Sequence, residues 1–105
     1  MRKDFDRAHL TAHGDVALIT LNHPEVMNAA APKMIRGLTM ALDHAEREES
    51  GFRVIVMTGE GRGFCSGANL SEVSEEHSAP GGVGSALETA YHPFLRRLRD
   101  LRLPL

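Results

Sequence analysis

An α/β fold built on a parallel strand pair is predicted by three features of this 105-residue sequence. Two short apolar runs, Val16-Ala17-Leu18-Ile19-Thr20-Leu21 and Val54-Ile55-Val56-Met57, read as buried strands. Between them lies a segment with helical periodicity. Directly after the second run the composition changes to glycine, with Gly59, Gly61, Gly63 and Gly67 within nine residues. Strand, crossover helix, strand and ligand-facing loop is the layout of open α/β sheets.

The elements follow in order. Phe5 to His13 alternates weakly and reads as a first strand, turning near His13-Gly14-Asp15 into the stronger run Val16–Leu21. His23-Pro24 ends that strand, because proline supplies no ladder N–H and biases its predecessor to extended conformations. A connector follows, holding Asn28 and three alanines. Pro32 suits the first turn of a helix. From there Met34, Ile35, Leu38, Ala41, Leu42 and Ala45 recur at three- and four-residue spacing. Glu46 to Glu49 read as its solvated end and Gly51 as a stop. The run Val54–Met57 has no alternation and is expected to be covered on both faces. Leu70–Glu76 is expected to form a short helix, and Ser78 to Ser85, with Pro80, Gly81, Gly82 and Gly84, a flexible loop. A last helix is expected from about Ser85, with Leu87, Ala90, Tyr91, Phe94, Leu95, Leu98 and Leu101 on its apolar side and Pro93 kinking or delaying it. The expected order is β-β-α-β-α-α, and LRLPL at the end reads as the start of an extended segment.

Composition narrows the function. A net charge of −2 argues against nucleic acid as the main partner. The arginines at 96, 97, 99 and 102 read as a solvated helix face. One cysteine excludes an internal disulfide. There is no signal-like N-terminus and no apolar run long enough for a bilayer, so a soluble cytoplasmic protein with no membrane partner is expected.

The glycine loop can present main-chain donors to an anionic or polarised oxygen, because glycines let a ligand approach amide groups closely. Other chemistries fit less well. The GxGxG of Gly59, Gly61 and Gly63 lacks the dinucleotide spacing and the acidic residue about twenty positions on. No Lys-Ser/Thr pair follows it, as a P-loop requires. Gly63-Phe64-Cys65-Ser66-Gly67 misses the GxSxG nucleophile elbow, so Cys65 reads as a small core residue. The six histidines form no ligand pattern, and no metal is expected.

Taken together, Val16–Leu21, Asn22-His23-Pro24-Glu25-Val26-Met27-Asn28-Ala29, the helix, and Arg53 to Leu70 resemble the enoyl-CoA hydratase/isomerase (crotonase) superfamily. The resemblance covers roughly residues 14 to 72, and more loosely the rest. It implies a crotonase-like spiral of ββα units, of which residues 1–105 are the incomplete N-terminal portion. It also implies an acyl-coenzyme A thioester as ligand, with coenzyme A as part of the substrate and no separate cofactor. Carried over by position, the backbone N–H of Ala68 is one donor of an oxyanion hole. Val26, Ala29, Ser66, Gly67, Asn69 and Leu70 line the coenzyme A path. Several positions depart from the family pattern: Asn69 replaces an Asp, His23 an Arg, Val26 stands where a basic residue often meets coenzyme phosphates, and Ala30-Ala31 replace a Leu and a capping residue, which weakens the helix start.

The resemblance places the second oxyanion donor and the hydratase glutamates after Leu105, so the segment alone is expected to be inactive. It implies homotrimers or hexamers for the full-length protein. Hydration of a 2-enoyl-CoA is the commonest reaction on this scaffold, but isomerases, hydrolases, dehalogenases and decarboxylases share it. The competing readings are a non-catalytic acyl-CoA-binding or assembly module and a nucleotide-binding α/β domain.

Overall fold

Four strands form one sheet in the order β1-β2-β3-β4. The structure is a computed structural model and describes residues 2–67 and 91–105. β1 (Arg2–Phe5) and β2 (Ala8–His13) are antiparallel, as are β2 and β3 (Val16–Leu21). β4 (Val54–Gly59) runs parallel to β3. The crossover between them contains α1 (Pro32–Glu46), as a parallel connection requires.

The first strand differs from expectation. Phe5–His13 is not one strand. Asp6-Arg7 makes a turn, with Arg7 at φ +54°, and Phe5 belongs to an added edge strand paired with Ala8. The weak alternation of this stretch hid the break, because Phe5 and Ala8 are register partners on one sheet face. The second hairpin turns at Gly14-Asp15, where Gly14 has φ +61°.

One sheet face is apolar. It carries Phe5, Ala8, Leu10, Ala17, Ile19, Leu21, Ile55 and Met57 and packs against Met34, Ile35, Leu38, Ala41, Leu42 and Ala45 of α1. The helical periodicity of the sequence is therefore the core stripe. On the opposite face only His9 and Thr20 are buried. β4 corrects the expectation of burial on both faces. Ile55 is buried, but Val56 is 44% exposed, because among the described residues only one face carries a helix. An apolar run without alternation does not reveal which of its faces is covered.

Ala31 caps α1 without any side-chain bond, and Pro32 takes the first turn. The helix ends at Glu46. Gly51, at φ +75°, ends the following 3-10 turn, Glu48–Ser50. Gly37 sits where the β1–β2 turn crosses the helix. A Cβ there would lie 1.9 Å from the Asp6 carbonyl oxygen, so only glycine permits this contact.

The second described helix, α2 (His92–Arg99), starts with Pro93 in its first turn. Residues 85–90 of the expected helix lie outside the described residues, as do the short helix and the loop expected between 70 and 85. Phe94 is buried, whereas Leu95 is 58% exposed. Leu101 falls beyond the helix and packs against the core. Leu103 is buried, and the Ile55 N–H donates to the Pro104 carbonyl at 2.8 Å, so the terminal segment lies along the outer edge of β4.

Two surface assignments from sequence are corrected here. Glu46 is not a solvated end: its side chain is 13% exposed and meets the Arg97 guanidinium at 2.6 Å. It also accepts from the Arg102 and Leu103 amides. Arg97 further donates to Asp43 at 2.9 Å, and the Arg102 side chain donates to the Glu46 carbonyl. Periodicity along one helix cannot show that a second helix lies against its end.

Burial pushes the His44 pKa below the ordinary histidine value, and Lys3 and Arg47 push it further. Its Nδ1 is buried without a partner among the described residues. Burial acts to raise the Glu46 pKa, but hydrogen bonds from the Arg102 N–H and from Arg97 outweigh it, and the net shift is downward. Both shifts act in the same direction on stability. When the folded pKa lies below the unfolded one, the unfolded state takes up the proton first as pH falls.

Two predictions follow from this packing. Gly37→Ala lowers the unfolding free energy by about 1–3 kcal/mol or more, measured in urea, because the β1–β2 turn must move off the helix. The unfolding free energy is level above about pH 6.5 and declines below it, through the lowered His44 pKa and then through that of Glu46. In a urea series from about pH 8 to about pH 4, His44→Gln loses the upper part of that decline and Glu46→Gln the lower part.

Candidate functional site

The parallel pair β3–β4 brings two loops together. Leu21 and Gly59 are register partners at the same end of the sheet, and the Glu60 N–H donates to the Leu21 carbonyl at 2.8 Å. The connector after β3 and the glycine loop after β4 therefore leave the sheet side by side. This is the carboxyl end of parallel strands, where open α/β sheets hold ligands.

The connector is a tight structure. Pro24–Val26 is one 3-10 turn, followed by Met27 and Asn28 in the left-handed region at φ +54° and +55°. Asn28 tolerates that conformation better than most residues. Its side chain is fully buried. Oδ1 accepts from the His23 N–H at 2.8 Å. Nδ2 donates to the carbonyls of Glu60 and Gly63, each at 2.9 Å.

Main-chain bonds then join the two loops farther along. The Ser66 N–H donates to the Met27 carbonyl at 3.0 Å, and the Ala30 N–H donates to the Gly67 carbonyl at 2.6 Å. The Ser66 hydroxyl lies 3.4 Å from the Val26 carbonyl. From the start of α2, the Tyr91 hydroxyl donates to the Ala30 carbonyl at 2.7 Å. The Gly67 N–H donates to none of the described residues.

The glycines divide the work. A Cβ on Gly59 would lie 2.5 Å from the Phe64 carbonyl oxygen, so this glycine lets the loop fold back on the strand it left. Gly61, at φ +83°, would meet the Pro24 side chain at 2.9 Å. Both serve contacts within the protein. Gly67 is different: it is exposed at φ +118°, and among the described residues a Cβ there would meet nothing within 4 Å.

Of the residues singled out from sequence, Val26, Ala29, Ser66 and Gly67 are described and converge here. Val26, Ser66 and Gly67 are exposed and Ala29 is buried. Ala68, Asn69 and Leu70 lie outside the described residues. Cys65 is half-buried against the core. The Ser66 hydroxyl and the Cys65 thiol each contact a carbonyl rather than an imidazole, so among the described residues no nucleophile–base pair forms at these two positions. His23, at the motif position usual for arginine, lies 3.6 Å from the Glu25 carboxylate. Among the described residues no cluster of potential metal ligands occurs, and no helix is long and apolar enough to cross a membrane. A groove of about 510 Å³ runs between α1 and α2, lined by Ile35, Met40, Phe94 and Arg97 among others. None of its described lining residues belongs to the glycine loop.

Sequence reasoning missed the part played by Asn28 and Tyr91. Asn28 carried one usable signal: an amide side chain in a short connector, with no helix start at its own position to cap.

The fold and the joined loops define an α/β chain with a candidate site where two loops meet at the carboxyl ends of its parallel strands. The chain belongs to the enoyl-CoA hydratase/isomerase family, whose sequence profile matches residues 11–105. It is 35% identical over 91 residues to the 1,2-epoxyphenylacetyl-CoA isomerase of Escherichia coli, covering 86% of this chain and 34% of that one. It is 40% identical over 90 residues to a Rhodobacter capsulatus protein named a probable enoyl-CoA hydratase, covering 86% of this chain and 33% of that one. The crystal structure of enoyl-CoA hydratase from Thermoplasma volcanium superposes with a TM-score of 0.80 at 28% identity, over 94% of this chain and 38% of that one. The fold is thus crotonase-like, and the chain spans about a third of the length of the curated relatives it matches.

Gly59→Ala tests the joined loops. The added methyl pushes the Gly63–Phe64 segment outward and breaks the Asn28 bond to Gly63. Stability falls by about 1–3 kcal/mol. Hydrogen exchange at the Ser66 amide, now protected by Met27, speeds up by more than exchange at Ile19 in the sheet.

Proposed function

We propose that this chain holds the thioester end of an acyl-coenzyme A in an enzyme of the hydratase/isomerase type. The reaction assigned to the whole protein is hydration of a 2-enoyl-CoA through an enolate-like transition state. In this reading the Ala68 N–H is an oxyanion donor. Val26, Ala29, Ser66, Gly67, Asn69 and Leu70 line the path of the coenzyme, which belongs to the substrate.

One observation carries the reading: the Gly67 carbonyl is held against the Ala30 N–H. A trans peptide carries its N–H on the side opposite its C=O. With the Gly67 carbonyl turned to the connector, the reading requires the N–H of the same peptide to point to the ligand. Gly67 itself puts no side chain in the way. A donor about 3 Å from the developing oxyanion is worth roughly 3 kcal/mol in the transition state. The names of the two relatives support the ligand class and differ on the reaction, one an isomerase and one a hydratase.

Calorimetric titration checks the reading. The protein carrying this chain binds acetyl-CoA and shows no heat with NAD. Binding of NAD in place of acetyl-CoA overturns the proposal in favour of a nucleotide-binding domain. Following hydration of a 2-enoyl-CoA by loss of its conjugated-thioester absorbance separates the enzyme from the binding module. Binding without turnover assigns the protein to the second.

A further inference from the structure

Asn28 uses its whole side-chain amide inside the protein. Its Oδ1 is occupied by His23, and its two Nδ2 protons go to two carbonyls, 32 and 35 residues away in sequence. Those carbonyls, of Glu60 and Gly63, are the two ends of the turn that leads into Phe64–Gly67. The backbone on either side of Asn28 holds the far end of the same loop, with Met27 accepting from Ser66 and Ala30 donating to Gly67. A single residue thus fixes the start of the loop by its side chain, and its neighbours in the chain fix the end.

We infer that Asn28 is a positioning residue for the thioester site: it sets where Ser66–Gly67 stands against the connector, and so aligns the main-chain donors offered to the thioester oxygen. The inference rests on the acyl-CoA reading above. It goes further in separating two parts of ligand recognition. The coenzyme path belongs partly to the connector, which Asn28 touches through Oδ1. The thioester contact belongs to the glycine loop, which Asn28 touches through Nδ2.

Asn28→Asp separates these arms. The variant keeps the shape and an oxygen to accept from His23, so the connector keeps its internal bond. It loses both donors to Glu60 and Gly63, and the loop loses its fixed start. A residue that only held the fold together would change affinity for every ligand in step with stability.

The test titrates wild type and Asn28→Asp with acetyl-CoA and with free coenzyme A. The expected result is a loss of about tenfold in acetyl-CoA affinity, with free coenzyme A affinity kept within about twofold. An equal loss for both ligands, or none for either, overturns the inference. Wild-type protein that binds neither ligand overturns the acyl-CoA reading itself, which is a different result from unequal loss failing to appear in the variant. Should Asn28→Asp not fold, the wild type decides by NMR. The two Asn28 Nδ2 protons shift when acetyl-CoA is added and hold their positions with free coenzyme A. Equal shifts with both ligands, or none, overturn the inference.

Discussion

The buried Asn28 amide is the constraint on which the joined-loop end of this chain depends. A buried polar group without partners costs about 1–3 kcal/mol, and this one has two donors and an acceptor to satisfy. All three are satisfied only when the connector after β3 and the loop after β4 lie together. The two loops therefore form one object rather than two neighbouring turns. Their main-chain bonds at Ser66 and Ala30 follow from the same arrangement.

The sheet makes that arrangement possible. β3 and β4 are parallel, so their carboxyl ends coincide at Leu21 and Gly59. The parallel pairing needs a crossover, and α1 supplies it while covering the apolar face. α1 can lie close because Gly37 admits the β1–β2 turn. Its far end is fixed to α2 and to the chain after it by the Glu46 contacts with Arg97 and Arg102, and α2 in turn places Tyr91 against Ala30. The core and the site are thus linked through α1 and α2, with each contact made by a named side chain.

Much of this was legible in the sequence, for physical reasons that differ by element. The spacing of Met34, Ile35, Leu38, Ala41, Leu42 and Ala45 marked α1, because burial on one side imposes a helical period. Gly14-Asp15 marked the second hairpin. The first hairpin was hidden, since Arg7 turns the chain with a positive φ that its residue type does not announce. The open face of β4 was hidden too, because the residues of a run show its apolarity and not what covers it. The solvated reading of Glu46 and Arg97 failed through a contact between distant segments, which no local pattern encodes. At the candidate site, glycine density marked the loop that meets the connector but not how its glycines differ. Gly59 and Gly61 are glycines because the protein's own backbone and Pro24 crowd them, whereas no described residue crowds Gly67.

That division bears on how such a loop can serve chemistry. A backbone donor is useful in catalysis when it needs no reorganisation as charge develops. Glycines alone give the opposite, since they widen the range of main-chain conformations. Here the freedom is removed again by contact. Gly59 is confined under Phe64, Gly61 against Pro24, and the peptides flanking Ser66 and Gly67 are held by Met27 and Ala30. The loop has the close approach that small residues permit and the rigidity that a buried asparagine imposes. Neither property follows from the glycine pattern by itself. They arise together because the segment thirty-odd residues earlier in the chain is folded against it.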